Sequence, residues 1–146
     1  MMRKKLMIGA AAVAVVLGGI VAQVAAESPR EDAMKALGKN MKVIKELISA
    51  NGNAADAAAP AQKIAEIAAK IPDLFPQGSD TPDDAAKAEI WQNWDDFVAK
   101  AKSLQDEATM LASAAGGGDL ATVGAQFEKV GGTCGACHKQ YREKTN

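Results

Sequence analysis

In this 146-residue chain the only two cysteines and the only histidine fall within one pentapeptide near the C-terminus, Cys134-Gly135-Ala136-Cys137-His138. Side chains at i, i+3 and i+4 of a helix share one face, so both thiols and the imidazole point the same way. This spacing is the one by which proteins attach haem covalently, the thiols meeting the two porphyrin vinyl groups while the imidazole reaches iron. Upstream, Leu120, Val123, Phe127 and Val130 lead to Cys134, Cys137 and Tyr141 in steps of three and four. The cysteines therefore continue the seam by which this helix packs inward, and whatever is bonded to them becomes part of the core. Gly131-Gly132 and Gly135-Ala136 point to steric room for a flat macrocycle, because each glycine costs about 1 kcal/mol of helix propensity.

Other uses of the pair fit less well. A thiol–disulfide redox centre expects a βαβ context, and no run of residues here reads as a strand. Zinc held by two cysteines and one histidine needs a fourth ligand, usually from a second Cys or His cluster. A disulfide across three residues of a helix would strain the bridge.

At the N-terminus, the basic Met1-Met2-Arg3-Lys4-Lys5 precedes an uncharged stretch from Leu6 to Ala26 that ends Val24-Ala25-Ala26. This predicts a signal peptide over residues 1–26 and a mature chain over residues 27–146. A retained anchor is the rival, since about 20 apolar residues span a bilayer. Gly18-Gly19, Gln23 and the alanine-rich ending favour cleavage. Residues 1–26 carry three positive charges and no negative ones, so their loss takes the formal charge from −1 to −4. Such a balance offers no basic footprint for nucleic acid or for an anionic membrane. The mature length suits a single domain.

Four helical segments follow. Ser28-Pro29-Arg30-Glu31 is a capping box with proline at the first helical position, and Met34, Leu37, Met41, Ile44 and Ile48 form one seam that ends at Asn51-Gly52. A second, alanine-rich helix is predicted from Asn53 to Ile71, stopped by Pro72. Leu74 and Phe75 make the following proline-rich segment too apolar for a solvated loop, so it should fold back on the core. Thr81-Pro82-Asp83-Asp84 opens a third helix through Trp91, Trp94, Phe97 and Leu104 to Leu111, broken by Gly116-Gly117-Gly118. Asp119 caps the fourth. The expected fold class is all-α, an antiparallel up-down-up-down four-helix bundle with haem attached near the C-terminus.

On these residues the chain resembles the class II c-type cytochromes, which comprise cytochrome c′, itself a standard four-helix-bundle example, and the low-spin cytochrome c-556 type. The resemblance rests on Cys134-x-x-Cys137-His138-x-x-Tyr141-Arg142, Arg30-x-x-x-Met34, Leu74-Phe75-Pro76 and Glu89-Ile90-Trp91, and it covers residues 28–143. It implies one covalent haem c with its iron, Cys134 and Cys137 as the thioethers, and His138 as proximal iron ligand. It also places Arg30 and Arg142 near the haem propionates, where guanidinium can pair with carboxylate. Met34 falls at the distal position, four residues from Arg30 and on the same face. The run from Met34 to Met41 looks more like the c-556 type. Met41 is the fallback ligand, about 10 Å farther along the helix axis, so both sulfurs cannot sit over one iron.

The resemblance thus implies a periplasmic monohaem electron carrier with low-spin His/Met-ligated haem. The alternative is a five-coordinate high-spin cytochrome c′ that binds nitric oxide or carbon monoxide, with Met34 only packing over iron. An enzyme is not expected, since the chain has no distal histidine to serve as a base for peroxide. Expected partners are redox proteins, basic ones on the strength of the acidic net charge, with no nucleic acid, no membrane after signal cleavage, and a monomeric or homodimeric state.

Overall fold

The computed structural model describes residues 28–79 and 85–144; the signal segment 1–26 and the Thr81–Asp84 helix start lie outside them. Helix α1 spans Pro29–Ser49. Ser28 Oγ accepts from the Glu31 N–H at 3.2 Å while Glu31 Oε2 accepts from the Ser28 N–H at 3.3 Å, satisfying amides that a helix start leaves unpaired. Asn51, at φ 50°, ends the segment in a conformation that asparagine tolerates.

The periodicity predicts one helix over residues 53–71. The structure divides it into a 3₁₀ turn, Ala54–Ala57, capped by Asn53, and helix α2, Ala58–Ala68. Another 3₁₀ turn, Pro72–Leu74, then returns the chain to the core, and Phe75 is buried there as the apolar segment requires.

The larger difference concerns the third helix. A continuous helix from Thr81 to Leu111 is expected, but the described residues show a four-residue α3, Glu89–Gln92, and then α4, Trp94–Gly116, separated at Asn93. The end of the last helix, α5 (Leu120–Tyr141), supplies the cause. Lys87 donates its N–H to Tyr141 O at 3.0 Å, Glu143 donates to Ala85 O at 2.7 Å, and Ala86 and Arg142 form an isolated antiparallel bridge. These bonds hold residues 85–87 extended, which a helix could not satisfy. Gly118, at φ 76°, makes the reversal between α4 and α5, and Asp119 caps α5 by accepting from Ala121 and Thr122.

α1 packs on α2, α2 on α4 and α4 on α5, while α1 and α5, which close the ring, touch least. The core is filled by Ile44, Ile64, Ile90, Leu111, Val123 and Val130. In an up-down-up-down order, the start of α1, the end of α2, the start of α4 and the end of α5 share one end of the bundle. Aromatic rings knit that end together. The Phe97 ring lies edge-on to Phe75 at 4.9 Å and to Tyr141 at 5.5 Å, with Trp94 at 5.6 Å. Trp91 donates its indole N–H to Phe75 O and Pro76 O, and Tyr141 donates its hydroxyl to Asp96 Oδ2 at 2.5 Å.

Burial, and then the hydrogen bond and charge of Asp96, push the Tyr141 phenol up to about 12. The folded protein keeps a proton that the unfolded chain releases near pH 10, so stability present below pH 10 declines as pH rises from about 10 towards 12. Tyr141→Phe is expected to cost about 1.5 kcal/mol at pH 7, the value of a hydrogen bond to a charged acceptor, and to abolish the alkaline decline. Urea denaturation of haem-loaded protein at pH 7 and pH 11 measures both effects; an unchanged midpoint at pH 7 would remove the bond from the account.

Candidate haem site

Helix α5 runs unbroken through the pentapeptide to Tyr141, so both thiols and the imidazole ride on one rigid element. Cys134 and Cys137 are half-buried, unpaired as a disulfide, and packed against the core between fully buried Val130 and nearly buried Tyr141. His138, the next residue round the helix, is exposed.

The two flanks of α5 differ. Lys129, Gly132, Thr133 and Ala136 line a shallow depression together with Lys100 and Ser103 of α4, which fixes that flank as the α4 side. The opposite flank, at the same three-four spacing, carries Gly124, Phe127, Gly131, Gly135, His138 and Arg142 and is turned towards α1, against which α5 packs far less closely than against α4. A Cβ added at Gly124, Gly131 or Gly135 meets no atom within 4 Å, and the same holds for Gly38 in α1. No protein contact requires these glycines. Met34 and Met41 of α1 are partly buried against the core on their helix seam. A wall of three glycines beside two inward thiols and one imidazole is a donor set and a space that suit a flat macrocycle bonded at Cys134 and Cys137.

Electrostatics agree with that use. Burial raises the Cys134 thiol and pushes Cys137 up to about 11 despite the nearby Lys100 charge, so both are protonated thiols at neutral pH. Burial, then the Arg142 charge, lowers the His138 imidazole, which leaves it neutral with a lone pair for a metal.

The two arginines are placed differently. Arg30 is 8 % exposed; Nε donates to Leu74 O at 3.1 Å, Nη1 to Ser79 O at 3.4 Å and Nη2 to Ser79 Oγ at 2.6 Å, with the guanidinium 4.0 Å from the Phe75 ring centre. It thus locks the 72–79 segment onto the first turn of α1. Arg142, exposed at the end of α5, belongs to the bridge with Ala86. The structure brings Arg30, Phe75 and Trp91 together, and Tyr141 with Asp96, but joins Arg30 to Arg142 through no direct contact among the described residues. Ser79 and Asp96 carry no motif and escape sequence reading. Gly124, at the spacing of Gly131 and Gly135 along one flank, is a signal the sequence does hold.

Comparison with known proteins decides the family. The profile described as Cytochrome C' matches residues 26–142. The chain belongs to the cytochrome c′ family. It is 40 % identical over 110 residues to cytochrome c′ of Rhodospirillum rubrum, covering 75 % of this chain and 71 % of the relative. It is 41 % identical over 119 residues to cytochrome c-556 of Agrobacterium tumefaciens, covering 79 % and 94 %. Crystallised cytochrome c′ from Thermochromatium tepidum superimposes with a TM-score of 0.73 at 32 % identity, over 79 % of this chain and 92 % of the other. A nitric oxide complex of a cytochrome c′ variant from Alcaligenes xylosoxidans does so with a TM-score of 0.70 at 28 % identity, over 79 % and 91 %. As a cytochrome c′-family protein the chain carries covalently bound haem c with its iron, on a four-helix bundle. Among the described residues no helix is long and apolar enough to cross a membrane.

The glycine wall gives a test with opposite signs. Gly131→Ala and Gly135→Ala are expected to raise helicity in the haem-free chain, by about 0.5–1 kcal/mol of propensity each, and to lower the thermal midpoint of the haem-loaded protein. Gly132→Ala, on the α4 side, should stabilise both forms. Circular dichroism melts of the two forms measure this, and stabilisation of the loaded protein by all three changes would place the ring elsewhere.

Proposed function

We propose that this protein is a periplasmic electron carrier in which Cys134 and Cys137 hold haem c by thioethers and His138 and Met34 are the axial iron ligands. When bound, the haem supplies a one-electron iron couple. The observation that carries the reading is Met34, a thioether partly buried against the core within the first two turns of α1, at the bundle end where α5 presents His138. A sixth ligand of this kind favours the ferrous state and limits rearrangement between oxidation states, which suits transfer and leaves no position for a substrate. The chain performs no bond-making chemistry on this reading. Arg30 fixes the loop over the haem end and Arg142 stands exposed one turn beyond His138, where each guanidinium adds positive charge for a propionate. Residues 1–26 direct export and are removed.

The nitric oxide complex of the Alcaligenes xylosoxidans relative favours a second reading, in which Met34 packs over a five-coordinate iron that takes nitric oxide or carbon monoxide. One of the solved relatives is described as having a ligand-controlled dimer dissociation, so under this reading ligand and assembly state would be linked here too.

Absorption spectroscopy separates the two. Wild-type haem-loaded protein is expected to be low-spin, Met34→Ala five-coordinate and high-spin, and Met41→Ala unchanged. High spin in the wild type with ready carbon monoxide binding would establish the second reading, and low spin lost only in Met41→Ala would move the ligand one heptad along.

A further inference from the structure

We propose that the depression between α4 and α5 is the docking surface for a redox protein that presents carboxylates. The inference rests on the carrier reading above. The depression, about 410 Å3, is lined by Lys100 and Ser103 of α4 and by Lys129, Gly132, Thr133 and Ala136 of α5. Ala136 is part of the haem-attachment pentapeptide itself and Thr133 immediately precedes it. A partner side chain seated there touches the backbone next to Cys137, and an electron has a covalent route from that backbone through the cysteine side chain to the haem. The floor admits such an approach: Gly132 and Ala136 are exposed, and a Cβ at Gly132 would meet nothing within 4 Å.

Charge selects the partner. Residues 129–144 carry Lys129, Lys139, Arg142 and Lys144 against Glu143 alone, in a chain whose net charge is negative. Lys139 continues the strip formed by Lys129, Gly132 and Ala136 at helical spacing. Some lysines elsewhere on the bundle are answered by carboxylates within their own helix, as in Lys42–Glu46, Lys63–Glu66 and Lys102–Asp106, and those that are not, such as Lys45 and Lys70, do not line the hollow. Lys100 has a looser partner in Asp96 at 3.7 Å, and among the described residues Lys129 and Lys139 have no ion-pair partner. The comparable hollow between α2 and α4, lined by residues such as Gln62, Glu66 and Thr109, holds a carboxylate and no lysine and lies away from the pentapeptide. The positive rim around a concave floor fits a protruding acidic side chain; a flat anionic bilayer would reach only the rim. The partner is therefore acidic, the reverse of what the net charge alone suggests.

Stopped-flow reduction of the haem-loaded protein tests this, with a reduced carboxylate-rich plant-type ferredoxin as the protein probe and dithionite as a probe too small to need a docking face. At low ionic strength Lys129→Glu is expected to slow reduction by ferredoxin about fivefold, an effect that salt erases, while Lys63→Glu, with the same change in net charge, alters it far less. Gly132→Leu fills the hollow without changing charge and should slow ferredoxin but not dithionite. Equal slowing by Lys129→Glu and Lys63→Glu, or no effect of Gly132→Leu, overturns the proposal. So does sedimentation with phosphatidylglycerol vesicles that Lys129→Glu abolishes while ferredoxin rates stay unchanged, since the face would then be a lipid contact. Failure of the carrier reading looks different: the wild type would be high-spin and take up carbon monoxide readily, whatever the ferredoxin rates.

Discussion

The inward placement of two thiols on α5 is the constraint on which the rest of the structure depends. Cys134 and Cys137 occupy the same stripe as Val130 and Tyr141, so the helix that buries its seam against α4 also carries both thiols into partial desolvation. Burial keeps both sulfurs protonated, and the adjacent turn leaves His138 at the surface of the same helix. Because one unbroken helix holds all three groups, their mutual geometry is set by helical pitch rather than by loop conformation.

The end of the bundle around these groups is built to hold shape. A charged side chain as buried as Arg30 is tolerable only because carbonyl oxygens and a hydroxyl take its N–H groups and an aromatic face covers its plane. Its bonds lock the Leu74–Ser79 segment to α1, Trp91 holds the same segment from α3, and Tyr141 ties the end of α5 to Asp96 in α4. At this end α1 is thus bonded to the 74–79 segment, that segment is ring-packed on α4 through Phe75 and Phe97, and α5 is bonded to α4, which is what a site for a rigid planar group demands.

Net charge describes this molecule poorly. Carboxylates outnumber lysines and arginines by 18 to 17, yet Glu46, Glu66 and Asp106 pair with lysines one turn away, while the last turns of α5 are left basic. Encounter between proteins depends on the local field, which a screening length of roughly 8–10 Å confines to the nearest few side chains. Partner preference is accordingly a property of one face.

The sequence by itself determined the first and last of the long helices, the capping of α1 by Ser28 and of α5 by Asp119, the return of Phe75 to the core and the covalent haem. These are local: a cap, a three-four seam or a ligand spacing is complete within a few residues. The start of the third helix was not legible, because residues 85–87 are held extended by Tyr141 and Glu143, more than 50 residues away, against a cap-and-proline signal that is sound on its own terms. The commitment of Arg30 to Ser79, the glycine flank facing α1 and the basic hollow beside Ala136 belong to the same class. Each exists only once distant segments are brought side by side, and no spacing along the chain encodes which helix lies opposite.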